Sequence, residues 1–305
     1  MAEALVPVPL RPAQPPVLHD ARGQARRVGI ELEFKGPPVR TAAEALQARL
    51  GGTLRREDAH AYTLAGSAVG DLAIELDMRH LHPQRHGGRL PINPGPRAAA
   101  ALGWLMGGIV PRELIAAPMP IAAIGGLDRA VAVLREAGAW GEGATAFGSL
   151  GLHFNIAAPD LTVGAVLRVF KAFLLLAPWL QRETRGTRHR PQRYPADFVR
   201  EVIRPNYRPD LATFIDDYLT ANPTRDRGLD LLPLLLHLDH DRVRARLPRE
   251  KILARPVYHY RLPQAFVSDP NWSVVPDWNR WVAVERLAQE EERMAALAEA
   301  AAAEV

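Results

Sequence analysis

Val28-Gly29-Ile30-Glu31-Leu32-Glu33-Phe34 is the stretch whose reading decides how this chain folds. Apolar and acidic residues alternate in it. A β-strand turns successive side chains to opposite faces, so Glu31 and Glu33 share one face and Ile30, Leu32 and Phe34 the other. Three later stretches repeat the pattern. Leu72–Met78 pairs Glu75 with Asp77, Leu150–Ile156 pairs His153 with Asn155, and Val257–Leu262 pairs His259 with Arg261. Residues i and i+2 of a strand lie roughly 7 Å apart, and two carboxylates that close repel unless a cation lies between them. An ordinary wet face would mix Thr, Ser, Lys and Gln with the acids, but these positions hold only Glu, Asp, His, Asn and Arg. Hard divalent cations such as Mg²⁺ prefer carboxylate oxygens and commonly bind phosphates as well, and an arginine on a neighbouring strand completes a phosphate clamp. The four stretches therefore point to a metal and a polyanionic ligand held on a sheet.

The rest of the composition narrows the field by exclusion. A chain of 305 residues, 48% hydrophobic and 24% charged, can bury a sizeable core. Its net charge of +4 is too small to argue for nucleic acid, and no nucleic-acid partner is expected. The absence of cysteine removes disulfides, thiolate zinc sites and cysteine nucleophiles, and it fits a reducing, cytoplasmic setting. No G-x-x-x-x-G-K-[ST] loop and no clean G-x-G-x-x-G opening a helix occurs, so a nucleotide would be held by metal and arginine. The longest apolar run, Val163 to Leu180, is broken by Arg168, Lys171 and Pro178. It reads as a buried helix and not as a membrane span.

Along the chain, residues 1–25 read as a disordered, proline-rich arm, 26–292 as one α+β domain, and 293–305 as an alanine-rich helical tail that frays. Helices are expected at Thr41–Leu50, closed by Gly51-Gly52, and at Arg97–Met106, Leu127–Ala137, Leu211–Leu219 and Leu229–Leu238, with a last one from Asp277. Pro111–Pro118 reads as a strand carrying Glu113. Arg79–Pro96, with His80, His82 and His86, reads as a solvated loop, and Thr184–Arg208 as a basic connection. Arg225 and Arg227 admit two readings: contact with phosphate, or a structural turn paired with Asp226 or Asp230. Trp272, Trp278 and Trp281 read as packing residues.

In this order, the motifs resemble those of the putative amidoligases. The matching stretches are Val28–Phe34, Arg112–Pro118, Gly151–Asn155, Asn222–Arg227, Arg255–Pro263 and Trp278–Glu285, and together they run over most of the chain. That family is similar to the carboxylate–amine ligases that include glutamine synthetase and glutamate–cysteine ligase. The resemblance implies an antiparallel β-sheet funnel covered by helices, a glutamine synthetase-like catalytic domain. It also implies ATP and Mg²⁺ as cofactors and formation of an amide or isopeptide bond through an acyl phosphate. The expected partners are a carboxylate and an amine substrate, small molecule or peptide; no membrane is expected, and a homo-oligomer is compatible with the group.

Most of the roles are what the resemblance implies; Arg185 is added from its place just after the long apolar helix. Glu31, Glu33, Glu113, His153 and His259 are the expected metal ligands. His153, Asn155, Arg185 and Arg261 are expected on the nucleotide, and Arg261, Asp77 and Glu75 at the reacting groups. Arg182 and Arg185 are also placed to meet substrate carboxylates. Two positions depart from the wider group: His259-Tyr260-Arg261 stands where Glu-x-Arg is common, and His153-Phe154-Asn155 where relatives often have His-x-His. Imidazole in place of a carboxylate removes a negative charge and favours Mn²⁺ over Mg²⁺. Two other readings stay open: a metal-dependent hydrolase using the same cluster, and a silent relative that binds a peptide or nucleotide.

Overall fold

The computed structural model describes residues 11–78, 81–82, 95–141, 144–145, 148–183, 191–262 and 265–303. In chain order the elements begin with β1 (Arg27–Phe34), α1 (Val39–Leu50), β2 (Thr53–Asp58), β3 (Ala61–Ser67) and β4 (Gly70–Leu76). Next come α2 (Pro96–Met106), β5 (Arg112–Pro120), a 3₁₀ turn (Ile121–Gly126) and α3 (Leu127–Glu136). The short β6 (Ala144–Thr145) and β7 (Gly148–Ser149) precede β8 (Leu152–Ala157) and α4 (Val163–Glu183). The remainder is α5 (Ala196–Val202), α6 (Leu211–Ala221), β9 (Leu229–Asp230), α7 (Leu232–Leu238), α8 (His240–Arg246), β10 (Val257–Leu262), α9 (Val275–Leu287) and α10 (Glu291–Ala303). Eight strands form one open antiparallel sheet in the order β2-β3-β4-β5-β1-β8-β10-β9, and the fold is α+β.

Strand alternation makes this sheet two-faced. On one face Leu32 lies between Leu114 and Leu152, and Ile30 between Ala116 and Phe154, all fully or almost fully buried. Each such side chain contributes roughly 1.5–3 kcal/mol on leaving water. Helix α9 seals this face: Trp278 meets Phe154, and Trp281 meets Tyr258 and Tyr260, at ring separations of 5.5–6.1 Å. Towards the other end α1 packs against β3 and α3. Gly51 and Gly52 (φ 71° and 92°) end α1, and a side chain on Gly52 would come within 2.6 Å of the Ala65 carbonyl oxygen.

Helix α4 has the length and composition to cross a membrane, but Val166, Phe170, Phe173 and Leu174 are buried within the protein and the helix packs against α9 and α10. Several expectations from the sequence need correction. Part of the stretch read as a disordered arm is seated: the Trp278 indole donates to the Ala13 carbonyl (2.8 Å), and the Ala13 amide donates to Asn279 (2.7 Å). Beside it, buried Arg26 donates twice to Glu285, which also accepts from Trp281. Helix α5 lies within the segment read as a connection. Leu229 and Asp230 form a strand and not the start of a helix. In the tail, α10 runs to Ala303 and packs Met294 and Leu297 on the core, where fraying was expected. His82 is buried, not solvated; His80 and His86 lie outside the described residues.

Candidate functional site

Register places the predicted side chains in three rows on the sheet face opposite the core. Glu31, His153 and Arg261 are direct neighbours across β1, β8 and β10. One row along the strands, Gly29, Asn155, His259 and Asp230 are neighbours, and on the other side Glu33, Glu113 and Glu75 are. Directly opposed residues hold their Cβ atoms about 4.5–5.5 Å apart, so the chemistry of each row is set by pairing alone. Asp77 lies just past the end of β4, on a turn, and its charge reaches both Glu33 and Glu113. Arg185 lies outside the described residues.

One half of this face is built around Glu31. Its carboxylate accepts from Asn155 Nδ2 at 2.8 Å and faces His153 Nδ1 at 3.4 Å. Ligand-capable atoms of Glu31, His153 and His259 all lie within 4.8 Å of one another. Burial opposes ionisation of Glu31, but the His153 hydrogen bond, with the neighbouring imidazoles and Arg255, outweighs it and holds the carboxyl well below the usual carboxylate range. His259 is 2% exposed, and neither ring nitrogen has a hydrogen-bond partner. Burial, reinforced by Arg261, pushes its pKa well below the ordinary value, which leaves a neutral ring with a free lone pair. A buried imidazole with both nitrogens unmatched is costly, and a metal ion is the partner it fits.

The other half is carboxylate throughout. Glu33 accepts from the Gly151 amide at 3.0 Å, yet burial, with Asp77 adding to it, raises its pKa. Glu113 is raised well above the ordinary range by burial and then by Glu31, Asp77 and Glu33. Neighbouring acids that resist ionisation together can all ionise if a hard cation sits among them. By donor chemistry the carboxylate end fits Mg²⁺ and the Glu31–His153–His259 end fits Mn²⁺ or a similar borderline ion.

Sequence reasoning missed two features. Asp230, fully buried, stands opposite His259; burial raises its pKa against the pull of Arg225, whose Nε is 3.4 Å away. A two-residue strand shows a single polar position, too little for a period-two pattern to register. Gly151 is the second: a Cβ there would fall 2.7 Å from His153 Nε2, so the bare backbone makes room for the ring. Of the two readings for Arg225 and Arg227, the structural one describes their contacts. Arg225 pairs with Asp230 and donates to the Lys251 carbonyl, and Arg227 donates to the Arg193 carbonyl and lies over the Tyr194 ring.

Neither a curated protein nor a solved structure matches this chain. The sequence profile of the family described as "putative amidoligase enzyme" matches residues 24–283. It spans all eight strands of the sheet and every named side chain of the site, and the chain belongs to that family.

Proposed function

We propose that this protein is an ATP-dependent ligase that joins a carboxylate to an amine on a glutamine synthetase-like sheet. The observation that carries the reading is the single sheet face that gathers a Glu–His–His group, an arginine and a row of carboxylates. Glu31, His153 and His259 would hold one divalent cation, and Glu33 and Glu113 another. Such ions offset charge on a phosphoryl group in transfer. Arg261, across β8 from Glu31, supplies fixed positive charge to the phosphate and to the acyl phosphate that follows. Asp77 and Glu75, at the acidic end, take up the proton that the amine loses as it displaces phosphate from the acyl carbon. The chemistry needs no protein nucleophile, which suits a chain without cysteine.

The test is mass spectrometry of peptide and metabolite pools incubated with the protein, ATP and Mg²⁺. A ligase yields a product equal to two components less one water, together with ADP and phosphate. A product that has gained water without ATP would instead identify a hydrolase and end the reading.

A further inference from the structure

A cavity of about 700 Å³ lies at the β9–β10 edge of the sheet, and the reading above leaves it without a role. Its volume falls within the roughly 300–1,000 Å³ typical of pockets for drug-sized ligands, well beyond what a small dicarboxylic acid fills. The depth of the cavity is apolar. Phe173 and Leu174 of α4 face Tyr260 and Leu262 of β10, and each of the four is at most 6% exposed. The rim is cationic: Arg182 and Arg193 stand exposed there, and no acid is among the described residues that line it.

Two further features point to a ligand. Arg261 belongs both to the cavity wall and to the row of Glu31 and His153, and its Nε is buried without a hydrogen-bond partner. Inside α4, Pro178 has no N–H, so the Leu174 carbonyl loses the donor that an uninterrupted helix would supply. Leu174 and Pro178 both line the cavity, so the carbonyl left without its helical donor belongs to a residue of the cavity wall.

We infer that this cavity binds an organic anion with a flat apolar body bearing an N–H donor, with its charged end at Arg261 and its body against Phe173 and Leu174. A nucleotide and a bulky acid substrate share that chemistry. The inference deepens the ligase reading by seating one of its substrates, but the binding itself does not depend on turnover.

The test is a titration of the full-length protein with 8-anilinonaphthalene-1-sulfonate, an anion with flat rings and an N–H, followed by fluorescence and calorimetry. One site per chain is expected. Filling the cavity with Leu174→Trp, or with Ala177→Phe at a more open position, and reversing the rim charge with Arg193→Glu should each raise Kd about tenfold or more in variants that keep the wild-type melting temperature. Displacement of the probe by ADP with Mg²⁺ assigns the cavity to the nucleotide. Displacement by N-benzoylglutamate and not by ADP assigns it to the acid. Unchanged affinity in the folded variants overturns the inference, as does loss of binding in Trp104→Ser alone, which would move the probe to the exposed Trp104 and Leu105 surface. A failed ligase reading has a different signature: no ATP-dependent product, with probe binding and its loss in the variants intact.

Discussion

The two halves of the polar face contain acids of the same kind on adjoining strands, yet their environments drive them in opposite directions. Glu31, hydrogen-bonded by Asn155 and beside His153, is held ionised. Glu113, with Glu33 and Glu75 as its strand neighbours and few donors, is pushed towards its neutral form. Burial acts against ionisation in both halves, so the difference comes from neighbours. One half is assembled and charged with the protein alone, and the other is frustrated until positive charge arrives.

The largest effect that would test this contrast is expected in the assembled half. Glu31→Gln and His259→Ala should each lower ATP-dependent product formation by about 10²-fold or more, and should abolish Mn²⁺ binding followed by electron paramagnetic resonance. Retained Mn²⁺ binding in both would dissolve the distinction between the halves. Gly151→Ala should press chiefly on His153, with the Leu262 carbonyl oxygen 3.3 Å away, displacing the ring and lowering activity about tenfold while the melting temperature moves little.

In the acidic half the expected sign is reversed. Glu113→Gln should stabilise the metal-free protein by up to about 1 kcal/mol in urea melts, because it removes the cost of holding a buried acid in its neutral form, while activity is lost. Glu31→Gln should do the opposite to stability by breaking two favourable contacts. Equal shifts in the two variants would count against the contrast.

The smallest expected effect concerns the turn that carries Asp77. His82 Nδ1 lies 2.8 Å from Asp58 Oδ2, and Nε2 lies 2.8 Å from the Leu76 carbonyl oxygen. Burial opposes the charge on this ring, but the Asp58 and Leu76 hydrogen bonds prevail and raise its pKa above the ordinary histidine value of 6.5. The stabilisation is therefore complete below the unfolded pKa and is lost as pH rises through the higher folded one. Melting temperature should fall from pH 6 towards alkaline values more steeply in the wild type than in His82→Gln. Parallel profiles would remove His82 from the account.

Much of the sheet was legible because period-two patterns survive in β1, β8 and β10, each long enough to show two polar positions on one face, and in β4 as far as Glu75, with Asp77 just past its end. Glu113 came from motif resemblance, since β5 carries one acid and then Ile115 on the polar face. The segments that escaped reading share a physical cause. Residues 11–25 lack periodicity and are ordered by contacts with Trp278 and Asn279, more than 250 positions away in sequence. Asp230 has too short a strand to announce itself, and His82 is buried by partners on β2 and β4 that local composition does not reveal. The cavity beside Arg261 arises from four separated stretches and has no signature in any of them.

The position of β1 has a consequence for how the protein is made. Strand β1 lies near the middle of the sheet, yet its two hydrogen-bonding neighbours are β5 and β8, encoded far downstream. The nascent chain must keep Ile30, Leu32 and Phe34 out of improper associations until those strands emerge, and the Arg26–Glu285 pair can close only when α9 has been synthesised. A topology that centres the acidic face thus also delays closure of the middle of the sheet until β8 has been made.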